Sequence, residues 1–278
     1  MSMEVRRAHP NDLPAIEALN RRARRVLPRL WWWDEYLTDD LFIVIEHEGL
    51  IVGALFAWPD EAPVAWVRLA TLDDALDVDE WLNLALPAVL DGLRRREVRE
   101  LAWMDYGGWA GPYLRVRGCK RLTEVVTLVK LDRALPGAQA TDACLRPASD
   151  ADIHAILTID RAAFTPHWWH SGATLRRRAA TSSHFVVAER AGEVVGYAEG
   201  EWHFPTAHFN RIAVHPAHQG HRIGALLLRD VLLAFWQRGA DEVTLNTQTD
   251  NLYSQRLYRR FGFKPTGDHT TVWKLQLA

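Results

Sequence analysis

Two short stretches toward the end of the chain carry residue types that could do chemistry. His218-Gln219-Gly220-His221-Arg222-Ile223-Gly224-Ala225 reads as a glycine-containing turn that opens a helix. Such a turn gathers free backbone N–H groups at one spot, where the helix dipole favours a phosphate. About thirty residues on, Asn251-Leu252-Tyr253-Ser254-Gln255-Arg256-Leu257-Tyr258 puts an amide, a hydroxyl and a phenol on one short helical segment. A phosphate cradle beside a phenol suits an enzyme that holds a phosphorylated thioester and protonates the departing thiolate.

These groups need a frame. His208 to Val214 alternates as a strand, and Pro216 ends it. Gly224 to Arg238 reads as a helix whose apolar face is Leu226, Leu227, Leu228, Val231, Leu232, Phe235 and Trp236. Gly239 stops it. Val243-Thr244-Leu245 begins the next strand, and Asn251 to Phe261 forms another helix. Strand, phosphate-facing turn, helix and strand make an α/β unit on a mixed sheet.

The chain also repeats itself. Val5 to Ile16 lies over Leu145 to Ile156 without a gap, each reading as a strand, a capped polar turn and an amphipathic helix. Matching hairpins follow, turning at Glu48-Gly49 and at Ala191-Gly192. Gly118-Cys119-Lys120 lies over Gly262-Phe263-Lys264, and Val129-Lys130-Leu131 over Trp273-Lys274-Leu275. A period near 140 residues is a domain duplication. The expected organisation is a first lobe at 1–133, a linker at 134–143 and a second lobe at 144–278.

Composition sets outer bounds. With 278 residues, two domains are favoured, and 48% hydrophobic with 24% charged residues is ordinary for a globular protein. A formal net charge of −2 argues against general nucleic-acid binding. The arginine runs at 21–25, 94–96 and 176–178 read as solvated helix faces. Cys119 and Cys144 have no metal-like or redox-like neighbours. The N-terminus lacks an apolar signal core, and no run of eighteen apolar residues occurs. The expectation is a cytoplasmic protein with no metal and no membrane contact. Thirteen tryptophans, with Trp31-Trp32-Trp33 and Trp168-Trp169 as clusters, read as core packing or as an aromatic wall facing a substrate.

On these motifs the second lobe resembles the GNAT acetyltransferase superfamily. The family's acyl-CoA signature is Gln or Arg, two residues, Gly, one residue, then Gly or Ala. It lies over Gln219 to Gly224, with Arg222 at the usual middle glycine. A second pattern fits Asn251, Ser254, Leu257, Tyr258, Gly262 and Phe263. The duplicated layout resembles tandem GNAT proteins such as mycothiol synthase. The second lobe is similar to the ribosomal-protein alanine N-acetyltransferases.

The resemblance implies an α/β (α+β) fold of two tandem lobes, each a mixed, mostly antiparallel twisted sheet flanked by helices. It implies acetyl-CoA as co-substrate and an amine acceptor, either a small molecule or a protein N-terminus. Tyr258 takes the role of proton donor. His208 stands where many members carry a glutamate base, eight residues before Pro216, with Glu199, Glu201 or a water chain as substitutes. The alanine-acetylating enzymes use another glutamate, whose place is Asn246 here. Backbone N–H groups of Ile212, Ala213 and Val214 should polarise the carbonyl and pair with the pantetheine arm. The diphosphate should sit on Gln219, Gly220, His221, Arg222, Ile223, Gly224 and Ala225, and Asn251 and Ser254 should bind the pantetheine or phosphate end.

An α-amine of pKa about 8 is roughly 10% neutral at pH 7, against about 0.04% for a lysine amine. A histidine base therefore favours α-amines or other weakly basic amines.

The first lobe lacks these groups. Its phenol position falls on Leu114 and its asparagine position on Gly107, while Asp73 to Glu80 puts five carboxylates where the diphosphate turn should be. That lobe is expected not to bind acetyl-CoA. Two other functions fit the residues: a non-catalytic acyl-CoA sensor or docking protein, and an aminoglycoside-type antibiotic acetyltransferase. The spacing of three among His215, His218 and His221 lacks a completing carboxylate or cysteine.

Overall fold

The computed structural model describes residues 3–27 and 33–277. It divides into two compact units, Met1–Thr123 with Thr270–Ala278, and Glu124–His269.

In the first unit the elements are β1 (Glu4–Arg7), α1 (Leu13–Arg22), β2 (Arg25–Val26), β3 (Phe42–His47), β4 (Leu50–Glu61), β5 (Val64–Leu72), α2 (Val78–Arg95), β6 (Glu100–Asp105) and α3 (Gly111–Val116). The sheet order is β1-β3-β4-β5-β6, with β2 attached to β5. The sheet is completed by residues 271–276 of the chain's last strand, antiparallel to β6. Among the described residues only β5 and β6 run parallel.

The second unit opens on part of β7 (Lys120–Lys130). It continues through β8 (Cys144–Pro147), α4 (Ile153–Ala163), α5 (Gly172–Thr181), β9 (His184–Arg190), β10 (Glu193–His203), β11 (Thr206–Val214), α6 (Ile223–Gln237), β12 (Glu242–Gln248), α7 (Leu252–Arg260) and the start of β13 (Lys264–Gln276). Its order is β8-β9-β10-β11-β12-β7, again with one parallel pair, β11 and β12. Both units are mostly antiparallel sheets flanked by helices, as expected. The sequence repeat and the packing unit differ in one respect. The strand that closes each sheet comes from beyond the boundary between repeats, and residues 131–143 carry neither helix nor strand.

The repeat is visible in side-chain detail. Arg6 forks onto Asp12 (2.8 and 2.9 Å) and reaches Glu46; Arg146 forks onto Asp152 (2.7 Å twice) and reaches Glu189. In each unit a guanidinium on a short strand, β1 or β8, joins the start of the following helix to the strand paired with it, β3 or β9. The hairpin turns Glu48-Gly49 and Ala191-Gly192 have positive φ at both residues, which matches the right-handed twist of the flanking strands.

The second unit buries apolar side chains on both sheet faces. Leu227, Leu228, Val231, Leu232 and Phe235 of α6 pack with Val186, Ala188, Ala198, Phe209 and Leu245. Ile156 and Ile159 of α4 and Leu175 of α5 pack with Phe185, Val187, Tyr197 and Ala213 on the other face. The alternation of Phe185, Val186, Val187 and Ala188 between the two cores is the period of two of a strand buried on both sides. Leu226 and Trp236, expected on the apolar face of α6, are only partly buried.

Candidate active site

The site begins where two parallel strands part. β11 pairs with β12 from Thr206–Glu242 to Phe209–Leu245. Beyond that point β11 runs on to Val214 and β12 to Gln248 with no pairing between them. The backbone edge of β11 at Ile212, Ala213 and Val214 thus faces a cavity of about 540 Å³, which the start of α6 and one face of α7 also line. An open strand edge beside a helix N-terminus offers extended backbone pairing and an anion site in one space.

The turn behaves as its glycines require. Gly220 has φ 83°, and Arg222, which caps α6, has φ 66° and ψ 7°. Arg222 therefore adopts the left-handed conformation that a glycine takes without steric penalty. Gln219 Nε2 donates to the Val214 carbonyl (3.1 Å), tying the turn to the end of β11. Of the twelve residues expected to bind the co-substrate, all but His221 line the cavity. His221 instead lines an adjoining notch with Thr141 and Asp142, because the turn carries it to the outer side. Asn251 Oδ1 accepts from Ser254 N (3.2 Å), so the amide caps α7 while it lines the cavity.

The two expected catalytic residues sit behind this lining. Tyr258 is buried, its ring edge-on to Phe209 and Phe263 at 6.4 and 5.9 Å. It does not line the cavity, but Ser254, which does, hydrogen-bonds its hydroxyl. Burial pushes the phenol above its ordinary pKa, so it stays protonated at neutral pH. His208 lies in the paired part of β11, where its Nδ1 is 2.8 Å from Thr244 Oγ1. Burial lowers its pKa, opposed by Glu201 and assisted by Arg178.

A register shift near Asn210 sets His208 and Ile212 on opposite faces of β11. Glu199 pairs with Arg211 but Gly200 pairs with Phe209, so Asn210 is an extra residue on β11. Before this bulge Ala207 and Phe209 face α6; after it Ala213 faces α4, and Ile212 and Val214 face α6. His208 is thereby turned toward the α5 side. Glu199 is fully buried there, with its oxygens accepting from Arg178 (2.6 Å), Ser182 (2.9 Å) and Asn210 (3.1 Å), an arrangement that leaves it poorly placed as a base.

Sequence reasoning missed Phe164, Tyr253, Leu257 and Arg260 in the cavity wall. It also missed the buried group that holds Phe164. Asp160, fully buried, receives hydrogen bonds from Tyr197 Oη and from Arg211 Nε (2.8 Å). The Arg211 guanidinium lies 3.9 Å from the Phe164 ring centre and donates to the Trp168 carbonyl. A carboxylate on the same stripe as Ile153, Ile156 and Ile159 was the available signal, since a core-facing charge requires a partner. Neither Trp168 nor Trp169 lines the cavity; Trp169 Nε1 donates to the Phe164 carbonyl (2.9 Å). Trp33 is in the core of the first unit, whereas Trp31 and Trp32 lie outside the described residues.

The same strand pair in the first unit is arranged differently. β5 and β6 pair from Val64–Glu100 to Trp66–Ala102 and then part. Here β2 pairs with Leu72 and Thr71, and Leu27 N donates to the Ala70 carbonyl (2.7 Å). β4 already occupies the opposite edge at Leu72 and Thr71, so β2 takes the edge that the parting strands expose. Asp77 caps α2 by accepting from Asp79 N and Glu80 N, which places a carboxylate on that helix start.

The parted strands and the turn of the second unit lie within a stretch that resembles known acetyltransferases. Residues 153–263 match the model of the Acetyltransferase (GNAT) family. The N-alpha-acetyltransferase RimI of Mycobacterium tuberculosis is 39% identical over 103 residues, covering 36% of this chain and 63% of that protein. A candidate ribosomal protein bS18-alanine N-acetyltransferase of Bacillus subtilis is 27% identical over 128 residues, 46% of this chain and 84% of that protein. A tandem GNAT protein from the clavulanic acid biosynthesis pathway superposes with a TM-score of 0.69 at 16% identity, covering 100% of this chain and 99% of that one. The chain is similar to the GNAT family of acetyltransferases over residues 153–263, all of them in its second unit. Among the described residues no helix is long and apolar enough to cross a membrane.

Proposed function

We propose that the chain is an acetyl-CoA-dependent N-acetyltransferase with one working site, in the second unit, acting on α-amines or other weakly basic amines. The observation that carries this is the coincidence, in one cavity, of the free β11 edge and the left-handed turn at the start of α6. Ile212 to Val214 pair with the pantetheine arm as an added strand would and polarise the thioester carbonyl. Gly220 to Ala225 hold the diphosphate. The amine nitrogen attacks the thioester carbon, the C–N bond forms, and the C–S bond breaks. His208 takes the amine proton, through water across the gap between β11 and β12. Tyr258 gives its proton to the thiolate, with Ser254 between its hydroxyl and the cavity. The α-amine preference is supported by two relatives, one named as an alanine N-acetyltransferase and one as an N-alpha-acetyltransferase. Asn246, where the resemblance to alanine-acetylating enzymes implies a glutamate, accepts from Thr127 Oγ1 (3.0 Å) and supplies no base.

One observation favours a second reading, an acyl-CoA-binding sensor: neither Tyr258 nor His208 lines the cavity. Thiol release from acetyl-CoA over a panel of α-amine peptides and small amines separates the two. The enzyme turns over at least one amine, and Tyr258→Phe loses roughly 100-fold or more in kcat while still binding CoA. Tight CoA binding with no turnover on any amine establishes the sensor.

A further inference from the structure

The ten residues between the repeats do more than join them. Thr141 Oγ1 donates to the His221 carbonyl (3.1 Å), and Arg222 Nη1 donates to the Ala140 carbonyl (3.2 Å). Arg229, about two helix turns further on, donates to the Pro136 carbonyl (2.9 Å). Asp142 accepts from Arg190 Nε (2.8 Å), and the same guanidinium lies 3.5 Å from His218 Nδ1. Three of these anchors run along the turn and the first turns of α6, and the fourth ties Asp142 to the end of β9.

We infer that segment Pro136–Asp142 is a strap that holds turn His218–Arg222 in its anion-binding form, with Thr141 and Asp142 as the positioning residues. Arg222 occupies a left-handed position that is sterically costly for a non-glycine residue, and the peptide before it is free to turn unless its carbonyl is held. Thr141 holds that carbonyl. The Ala140 carbonyl draws the long Arg222 side chain outward, so a residue bulkier than the family's glycine is accommodated beside the cavity. Asp142 orients Arg190, which flanks His218 at the turn's entry. The turn's N–H groups are thus arranged before any anion arrives, and preorganisation of this kind raises affinity by sparing the ordering of the loop.

This role presupposes the diphosphate site proposed above, so the test separates the two. The full-length chain is titrated with CoA by calorimetry as wild type, Thr141→Val, Thr141→Val/Asp142→Asn and Thr141→Ser. The expected result is roughly tenfold weaker CoA binding in the double variant, about threefold in Thr141→Val, and near-wild-type binding in Thr141→Ser, which keeps the hydroxyl. KM for acetyl-CoA rises in step with Kd, while kcat moves far less, and the Arg222 and Ile223 amides exchange faster. If the double variant fails to fold, Thr141→Val against Thr141→Ser carries the same comparison. CoA binding equal to wild type in the valine variants overturns the strap and leaves the diphosphate site standing. Absence of CoA uptake by the wild type overturns both.

Discussion

Thr244 Oγ1 lies 2.8 Å from His208 Nδ1 and 3.3 Å from the Ala207 carbonyl oxygen. A hydroxyl has one proton, and the carbonyl can only accept it. With that proton on the carbonyl, the threonine oxygen accepts from Nδ1–H, and the neutral imidazole keeps its lone pair on Nε2. Thr244 thus selects the tautomer that a base needs. Thr244→Val should lower kcat by about tenfold, and Thr244→Ser should restore it. Because burial lowers the His208 pKa, the acid limb of kcat/KM should fall below the ordinary histidine value of about 6.5 and vanish in His208→Gln. Stability has the matching sign. As pH drops below about 6.5 the unfolded chain binds a proton that the folded one resists, so His208 destabilises the fold increasingly in acid until its folded pKa is reached. A pH–rate profile unchanged in His208→Gln assigns the base to another group.

The two glycines of the turn should respond differently to alanine. A Cβ at Gly224 meets Leu257 Cδ2 at 3.6 Å, an ordinary contact, whereas Gly220 sits at φ 83°. Gly220→Ala should lose ~1–2 kcal/mol of stability in urea melts and bind CoA several-fold more weakly. Gly224→Ala should stay within about twofold of wild type in CoA affinity.

One CoA should bind per chain. In the first unit β2 takes the β5 edge and Asp77 caps α2, so both components of the second unit's cavity are filled by the chain itself. Calorimetry should give a stoichiometry of one, and Gly220→Asp should abolish all of it. A stoichiometry of two, or a site that survives that substitution, contradicts the assignment to the second unit.

Arg211 and Asp160 should be inseparable partners. Their side chains are 10% and 0% exposed and 2.7 Å apart. Arg211→Met leaves a buried carboxylate without its cation and should cost ~3–5 kcal/mol in denaturant melts. Adding Asp160→Leu should recover much of that loss, because the unpaired charge is then gone. If the single and double variants are equally unstable, the pair is not what holds the α4–α5 corner.

What the amino-acid order determined by itself is local. Gly220 and Gly224 announce the turn because positive φ and a close helix start are properties of a few adjacent residues. The hairpins at Gly49 and Gly192, the α6 stripe and the helix α7 were legible for the same reason. The repeat was legible because it is a comparison of the chain with itself. Tertiary structure alone decided which strand closes each sheet, since β6 and β12 present similar edges to partners far away in sequence. It also decided that an extra residue at Asn210 turns His208 away from Ile212, that β2 occupies the β5 edge, and that Thr141 reaches His221. Each of these depends on the position of backbone that is distant along the chain, and neither periodicity nor spacing encodes where such backbone lies.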